Sequence, residues 1–247
     1  MPPRTSKDAQ TALITGGAKR IGRAVTLGLA RGGWTVAIHY QSSKAAAHSL
    51  VDEIVAAGGR AVAFAADLRD CTALEPLVAS VAERLGPPAC LINNASEFLP
   101  DKVETLCEAN WDAHLDINLK APVFLARAMV RHLPAEASGN IINIIDQRVW
   151  KLTADFFSYT ISKAGLWTAT RTLAQGLAPH IRVNAIGPGP VLRSVHQTDA
   201  DFEAEIESTL LRAGPSPDDI AAAVAFILSS PSMTGQMIAL DSGQHLT

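Results

Sequence analysis

Features that direct a chain to an oxidising compartment, a metal or a membrane are scarce in this sequence. Its 247 residues include three cysteines, Cys71, Cys90 and Cys107, an odd number whose spacing fits no metal-binding motif. We therefore predict neither a disulfide framework nor a metal site, and we expect a reduced, cytoplasmic compartment. No apolar run approaches the roughly 18 residues of a membrane span, so no membrane partner is expected.

Strongly basic segments are also missing. The chain has 21 Lys and Arg against 24 Asp and Glu, a formal net charge of -3, without a basic run. Nucleic acid is therefore not an expected partner. Residues 1–9 carry charge without a following apolar stretch, which predicts a flexible tail and not a secretion signal. A hydrophobic fraction of 48% without a linker or repeat predicts one domain over residues 1–247.

What the sequence does contain is a regular alternation of apolar runs and helical patterns. Strands are predicted at residues 11–14, 34–39, 61–65, 90–92, 140–145, 181–186 and 237–240. Helices are predicted at residues 21–31, 44–57, 71–85, 111–132, 157–177 and 220–228. This order predicts an α/β fold of Rossmann type, a doubly wound parallel sheet of about seven strands with helices on both faces.

A glycine-rich turn joins the first predicted strand to the first helix. Gly16, Gly17 and Gly22 would let the backbone approach a pyrophosphate, which the free N–H groups of the helix start can bind. A tight connection between strand and helix uses glycine for steric reasons too, but the place of this turn favours a dinucleotide. Arg20 stands where a further glycine would complete the usual spacing. It either reaches a phosphate or the substrate, or is a solvated side chain.

The end of the second predicted strand indicates which dinucleotide is bound. An acidic residue there would bind the adenosine ribose diol and repel a 2′-phosphate, and none is present. His39, Ser42 and Ser43 offer hydrogen-bond donors instead, so we predict NADP(H) over NAD(H). After the third strand, Asp67 either accepts from the adenine amine or caps the next helix.

Tyr159 and Lys163 are four residues apart and therefore share one face of a predicted helix. We expect the ammonium to lower the phenol pKa from its ordinary value near 10 towards a range useful for proton transfer. The lysine could also hold the hydroxyls of a nicotinamide ribose. A solvated pair is the alternative, but the position after the fifth strand favours a catalytic one.

With Asn94, Ala95, Asn118 and the segment 187–189 added to these motifs, the chain resembles a short-chain dehydrogenase/reductase over nearly its whole length. The resemblance implies that Asn93, Asn94 and Ala95 lie beside the cofactor ribose. It also implies that Asn118 holds a water near the catalytic lysine, with a helix-kink side chain as the alternative. A homotetramer, with two long helices paired across an interface, is implied as well.

One position departs from most of that family. A serine usually stands about thirteen residues before the tyrosine, and here the residue is Asp146. A carboxylate would repel a developing oxyanion, which argues against ordinary ketone reduction. With an aspartate at this position, the chain resembles the pteridine reductase branch of the family. By that resemblance Phe98 would stack a pterin against the nicotinamide, while Arg20 and Ser96 would hydrogen-bond ring and phosphate oxygens. Phe98 as core packing and Asp146 as an inert replacement are the alternatives.

The expected function is NADPH-dependent hydride transfer to a C=N bond of a small-molecule pterin, of dihydromonapterin, dihydrobiopterin or dihydrofolate type. Tyr159 would donate the proton and Asp146 would aid the relay. A carbonyl reductase acting on a 3-ketoacyl, sugar or steroid ketone, and a silent NADP(H)-binding sensor, are the alternatives. His196 is expected to be a lone surface histidine, although a place in a mobile lid is possible.

The predicted site comprises three sets of residues. Those predicted to be catalytic are Asn118, Asp146, Tyr159 and Lys163, and those predicted to bind substrate are Arg20, Ser96, Phe98, Asp146 and Tyr159. Those predicted to bind the cofactor are Gly16, Lys19, Arg20, Ile21, His39, Tyr40, Ser42, Ser43, Asp67, Leu68, Asn94, Ala95, Ser96, Lys163, Pro188 and Gly189.

Overall fold

Seven parallel strands form one sheet in a computed structural model that describes residues 10–247. The tail predicted at residues 1–9 lies outside the described residues. The strands are β1 Thr11–Ile14, β2 Thr35–Tyr40, β3 Ala61–Ala65, β4 Pro88–Asn93, β5 Gly139–Ile144, β6 Ile181–Pro188 and β7 Met237–Leu240. Their order in the sheet is β3-β2-β1-β4-β5-β6-β7, which confirms the predicted fold.

Helices connect successive strands. They are α1 Arg20–Arg31, α2 Lys44–Ala56, α3 Cys71–Leu85, α4 Glu108–Leu115, α5 Ala121–His132, α6 Phe157–Leu177, α7 Asp199–Glu207 and α8 Pro217–Ser229. Within residues 10–247, no helix combines the length and the apolar character that crossing a bilayer requires.

Both faces of the sheet are buried. Alternate residues of β1 point to opposite sides, so that Ile14 belongs to one hydrophobic cluster and Leu13 to the other. The first cluster includes Val25 of α1 and Val224 of α8, and the second includes Met129 of α5. Because helices cover both faces, the strands are continuously apolar, as the sequence pattern indicated.

Several element ends differ from the prediction by one to three residues, as in α8, which begins at Pro217 and not at residue 220. The helix predicted over 111–132 begins at Glu108 and contains a π-helical turn at Asp116–Lys120, which joins α4 to α5. Such turns insert an extra residue into a helix and occur frequently at functional sites. The N-cap of α3 is Asp70, whose carboxylate accepts from the Thr72 N–H, so the capping role considered for Asp67 is wrong.

The sheet order fixes where a ligand can bind. Strands β1 and β4 are neighbours, and the chain builds outward from them in opposite directions. At such a switch point the loops after the two strands diverge and leave a crevice outside their carboxyl ends. The glycine turn follows β1, and Asn94 follows β4, so both flank this crevice.

Candidate active site

A cleft of about 770 Å³ lies at the carboxyl ends of the strands and brings most of the predicted site residues together. Those that line it are Gly16, Lys19, Arg20, Ile21, His39, Tyr40, Ser42, Ser43, Leu68, Asn94, Ala95, Ser96, Phe98, Asp146, Tyr159, Lys163, Pro188 and Gly189. Asp67 and Asn118 do not line the cleft. The carboxylate of Asp67 pairs with Arg69 at 2.8 Å on the surface, and this ion pair lowers the pKa of Asp67.

The glycine turn has no room for side chains at two positions. Gly16 has a φ of +60°, in the left-handed region that favours glycine. A Cβ on Gly22 would lie 2.2 Å from the Gly16 carbonyl oxygen. Asn94 holds the turn closed, since its Nδ2 donates to the carbonyl oxygens of Thr15 at 2.9 Å and Gly16 at 3.1 Å. The loop after β4 therefore fixes the shape of the turn after β1.

His39 acts on the same turn from β2. Its Nδ1 accepts from the Gly16 N–H at 3.2 Å, which leaves the proton on Nε2, 3.1 Å from the Ala66 carbonyl oxygen. Burial lowers the pKa of this imidazole to about 4, so the neutral form persists at physiological pH. Both ring nitrogens are engaged, and His39 has no free donor for a phosphate, contrary to the expectation above. Ser42 and Ser43, the other predicted donors, line the cleft.

Arg20 occupies a strained position. Its φ is +51°, the left-handed region in which the usual glycine would be unstrained. Its guanidinium donates to the carbonyl oxygens of Leu192 at 3.0 Å and Arg193 at 2.9 Å. Arg20 thus links the glycine turn to the loop after β6, and both Arg20 and Leu192 line the cleft.

Asp146, Tyr159 and Lys163 meet at the end of β5. The Tyr159 hydroxyl donates to Asp146 Oδ2 at 2.8 Å, and the Arg148 N–H donates to Asp146 Oδ1 at 2.8 Å. Lys163 Nζ donates to the Ile144 carbonyl oxygen at 2.9 Å and lies 5.6 Å from the centroid of the Tyr159 ring. The phenol is therefore paired with the carboxylate and not with the ammonium.

The pKa values of this group follow from burial. Burial, and then the Asp146 carboxylate, raise the pKa of Tyr159 well above its ordinary value, so the lowering expected from Lys163 is wrong. Burial also raises the pKa of Asp146 and lowers that of Lys163 to about 8. The phenol keeps its proton at neutral pH, beside a carboxylate that is more basic than usual. Asp146 and Tyr159 can therefore act together as a proton donor.

Asn118 lies in the π-helical turn and is fully buried. Its Oδ1 accepts from the Ser96 hydroxyl at 3.1 Å and the Glu97 N–H at 2.8 Å, and its Nδ2 donates to the Glu97 carbonyl oxygen at 3.0 Å and to Ser162 Oγ at 3.0 Å. The side chain contacts the loop that carries Phe98, and no hydrogen bond joins it to Lys163. The predicted water near the lysine remains a prediction.

A second buried chain of hydrogen bonds ties that loop to the start of α6. The Leu99 N–H donates to His114 Nε2 at 2.9 Å, which places the His114 proton on Nδ1, 2.7 Å from Ser158 Oγ. The Ser158 hydroxyl donates in turn to the buried carboxylate of Asp101. These hydrogen bonds therefore hold the loop that carries Phe98 in a fixed position against α6, the helix that carries Tyr159.

The sequence of the chain matches a family of known enzymes over the region that builds this site. Residues 10–204, well over half of the chain, match the short chain dehydrogenase family. The chain belongs to the short-chain dehydrogenases. The buried tyrosine and lysine after β5, and the glycine turn after β1, are therefore those of a short-chain dehydrogenase.

Individual relatives differ in what they reduce. The chain is 47% identical to FolM alternative dihydrofolate reductase 1 from Brucella suis, solved in complex with NADP, with 96% of each chain covered and a TM-score of 0.94. It is 31% identical to the 3-oxoacyl-[acyl-carrier-protein] reductase FabG of Staphylococcus aureus, with 97% of this chain and 100% of the relative covered. A short-chain dehydrogenase from Burkholderia cenocepacia, in complex with NADP, is 33% identical with a TM-score of 0.90.

Two residues of this short-chain dehydrogenase site, Phe156 and His196, were not among those predicted from the sequence. Phe156 stacks on Phe98 with ring centroids 4.2 Å apart and planes 9° from parallel. His196, expected to be a lone surface residue, lines the cleft, and its Nε2 donates to the Phe98 carbonyl oxygen at 3.1 Å. Phe98 itself is half-buried in the cleft and is not a core residue. Neither periodicity nor a motif marks Phe156 or His196, since both depend on how distant loops fold back.

Proposed function

We propose that the protein reduces a C=N bond of a pterin with NADPH. The observation that carries this proposal is the 2.8 Å hydrogen bond from the Tyr159 hydroxyl to the Asp146 carboxylate. A carboxylate at that position would face the oxygen of a ketone as negative charge develops there, which costs free energy. An imine-type nitrogen is more basic than a ketone oxygen and can be protonated before the hydride arrives, so it carries positive charge, which a neighbouring carboxylate stabilises.

The residues of the cleft fit a dinucleotide with a 2′-phosphate. The turn at Gly16 and Gly22 has no Cβ that would keep a pyrophosphate from the backbone. No carboxylate follows β2, where Ser42 and Ser43 line the cleft, and Lys19 also lines it. Lys163 has three N–H groups, of which one donates to Ile144, so the others are free to hold ribose hydroxyls. The NADP in the Brucella suis relative supports the same choice.

The chain's own residues would then supply the proton and the orientation. NADPH, when bound, supplies the hydride to the carbon of the C=N bond. The proton held by Tyr159 would pass to the nitrogen and be replaced from solvent, while the Asp146 carboxylate accepts the hydrogen bond that orients the phenol. Phe98 would lie against the flat ring of the substrate. The product gains one C–H and one N–H bond.

Two lines of relatives support different substrates, and Asp146 favours one of them. The relative at 47% identity is named for dihydrofolate reduction, whereas the one at 31% is named for 3-oxoacyl reduction. A 3-oxoacyl substrate has a ketone oxygen that needs a neutral hydrogen-bond donor. At that place this chain has a carboxylate, which supports the pterin.

The proposal is tested by the fall of NADPH absorbance with a panel of substrates. We expect turnover of 7,8-dihydromonapterin, 7,8-dihydrobiopterin or 7,8-dihydrofolate, and little with acetoacetyl thioesters. Tyr159→Phe should abolish turnover while NADPH still binds. Turnover of the thioester with none of any pterin would establish the ketone reductase instead. Tight NADPH binding without turnover of any substrate would indicate the silent sensor.

We further propose that the protein assembles as a homotetramer and acts in the cytoplasm. The assembly is supported by membership of the short-chain dehydrogenases and by large apolar side chains that the single chain leaves exposed, such as Phe226 at 54%. Light scattering at micromolar concentration is expected to give the mass of four chains. A monomer would contradict the assembly, without bearing on the chemistry.

A further inference from the structure

Phe156 has a backbone conformation that phenylalanine rarely adopts. It is the residue before α6, with φ +56° and ψ +51°, in the left-handed region. For residues other than glycine this conformation is unfavourable, because Cβ approaches the following carbonyl oxygen. Bulky residues held there are genuine outliers, and such strain concentrates at active sites and ligand clamps. The strain points to a use for the side chain.

The ring of Phe156 is part of a stack within the cleft. It lies almost parallel to Phe98, with centroids 4.2 Å apart and planes 9° from parallel. The guanidinium carbon of Arg148 lies 5.2 Å from the centroid of the Phe156 ring. All three side chains line the cleft. Phe156 therefore covers one face of Phe98 and prevents that ring from tilting in its direction.

Other contacts hold Phe98 from different sides. The Tyr159 ring meets it at 4.7 Å and 79°, in an edge-to-face arrangement. The Phe98 carbonyl oxygen accepts a hydrogen bond from His196, and the next residue, Leu99, donates its N–H to buried His114. The backbone of Phe98 is thus fixed by hydrogen bonds, and its ring by aromatic contacts, of which Phe156 supplies the parallel one.

We propose that Phe156 is a positioning residue that holds the Phe98 ring flat for stacking on a planar, conjugated heterocycle. This inference rests on the proposed function, which supplies a substrate of that shape. Phe156 acts through Phe98 and does not itself contact the reacting atoms. The left-handed residue stands directly before α6, and its ring is stacked on that of Phe98. An aliphatic ketone chain has no flat face and would gain nothing from this arrangement.

The test separates the strain from the ring. Phe156→Asn removes the ring and places a residue that tolerates the left-handed conformation, whereas Phe156→Leu removes the flat ring and keeps the strain. For both variants we expect the KM for 7,8-dihydrobiopterin to rise roughly three- to tenfold, because the loss of one stacked aromatic pair typically weakens an interaction by about that factor. The Kd for NADPH should not change. The thermal midpoint of Phe156→Asn should equal or exceed that of Phe156→Leu.

A matched control lies outside the cleft. Arg212 is exposed and has a φ of +48°, so Arg212→Gly relieves similar strain and should leave the KM unchanged. An unchanged KM in both Phe156 variants would overturn the proposal. A lowered KM would overturn it too, because the ring would then compete with the substrate for Phe98. Absence of pterin turnover by the wild-type protein would overturn the proposed function and this inference together, whereas wild-type turnover with an unchanged variant KM overturns the inference alone.

Discussion

The pH dependence of folding should carry the signature of His39. Burial lowers the pKa of this imidazole from 6.5 to about 4. Between these values the unfolded chain binds a proton that the folded protein does not, so stability falls as the pH falls from about 6.5 towards 4. At about 1.36 kcal/mol for each pKa unit, the interval corresponds to ~3 kcal/mol in the free energy of unfolding.

The assay is urea unfolding at several pH values between 7.5 and 4.5 for the wild-type protein and His39→Gln, at one protein concentration. Carboxylates titrate in both proteins, so the difference between the two curves isolates the imidazole. We expect the difference in free energy of unfolding between the wild-type protein and His39→Gln to be smaller at pH 4.5 than at pH 7.5 by roughly 2–3 kcal/mol. The Gly16 N–H should keep its acceptor throughout this interval, because the folded imidazole is protonated only near pH 4 and below. A difference that stays constant with pH would refute the assignment of His39 as a buried neutral acceptor.

Further predictions concern the glycine turn, the π-helical turn and the carboxylate of Asp146. Gly22→Ala should weaken NADPH binding at least tenfold in a fluorescence titration, since its Cβ would lie 2.2 Å from a carbonyl oxygen, whereas Gly176→Ala, with open space around it, should bind normally. Asn118→Leu should lower the free energy of unfolding by about 1–3 kcal/mol in urea, because the Glu97 N–H loses its acceptor and the Glu97 carbonyl keeps only the Ser96 hydroxyl; a variant as stable as the wild type would contradict that role. Asp146→Ser should reduce pterin kcat by about 100-fold and admit ketones; unchanged pterin rates would end the substrate argument.

Much of the fold could be predicted because local pattern and burial agree. Strands buried on both faces give continuous apolar runs, and β3 and β7 have the predicted bounds. The spacing of Tyr159 and Lys163 requires one helical face whatever the surroundings are. The π-helical turn at Asp116–Lys120 was not predictable, because one extra residue in a helix leaves the apolar periodicity on either side nearly intact.

The electrostatics of the site could not be predicted from residue types. The sequence places an ammonium one helical turn from a phenol, but it does not show that the ammonium turns to the Ile144 carbonyl while the phenol turns to Asp146. Burial then decides the direction of the pKa shift, and burial depends on the whole fold. The role of His39 could not be predicted for the same reason. Its residue type suggests a free hydrogen-bond donor, but in the folded protein both ring nitrogens bind backbone groups.

The most direct test of the central claim follows the hydride to its destination. NADPH deuterated at the transferable position of the nicotinamide is incubated with the protein and 7,8-dihydrobiopterin, and the product is analysed by NMR. Hydride transfer to the C=N bond, with the proton going to the nitrogen, predicts deuterium on the carbon of the former C=N bond. A pterin that stays unlabelled, while a 3-oxoacyl thioester acquires deuterium at its carbinol carbon, would contradict the account.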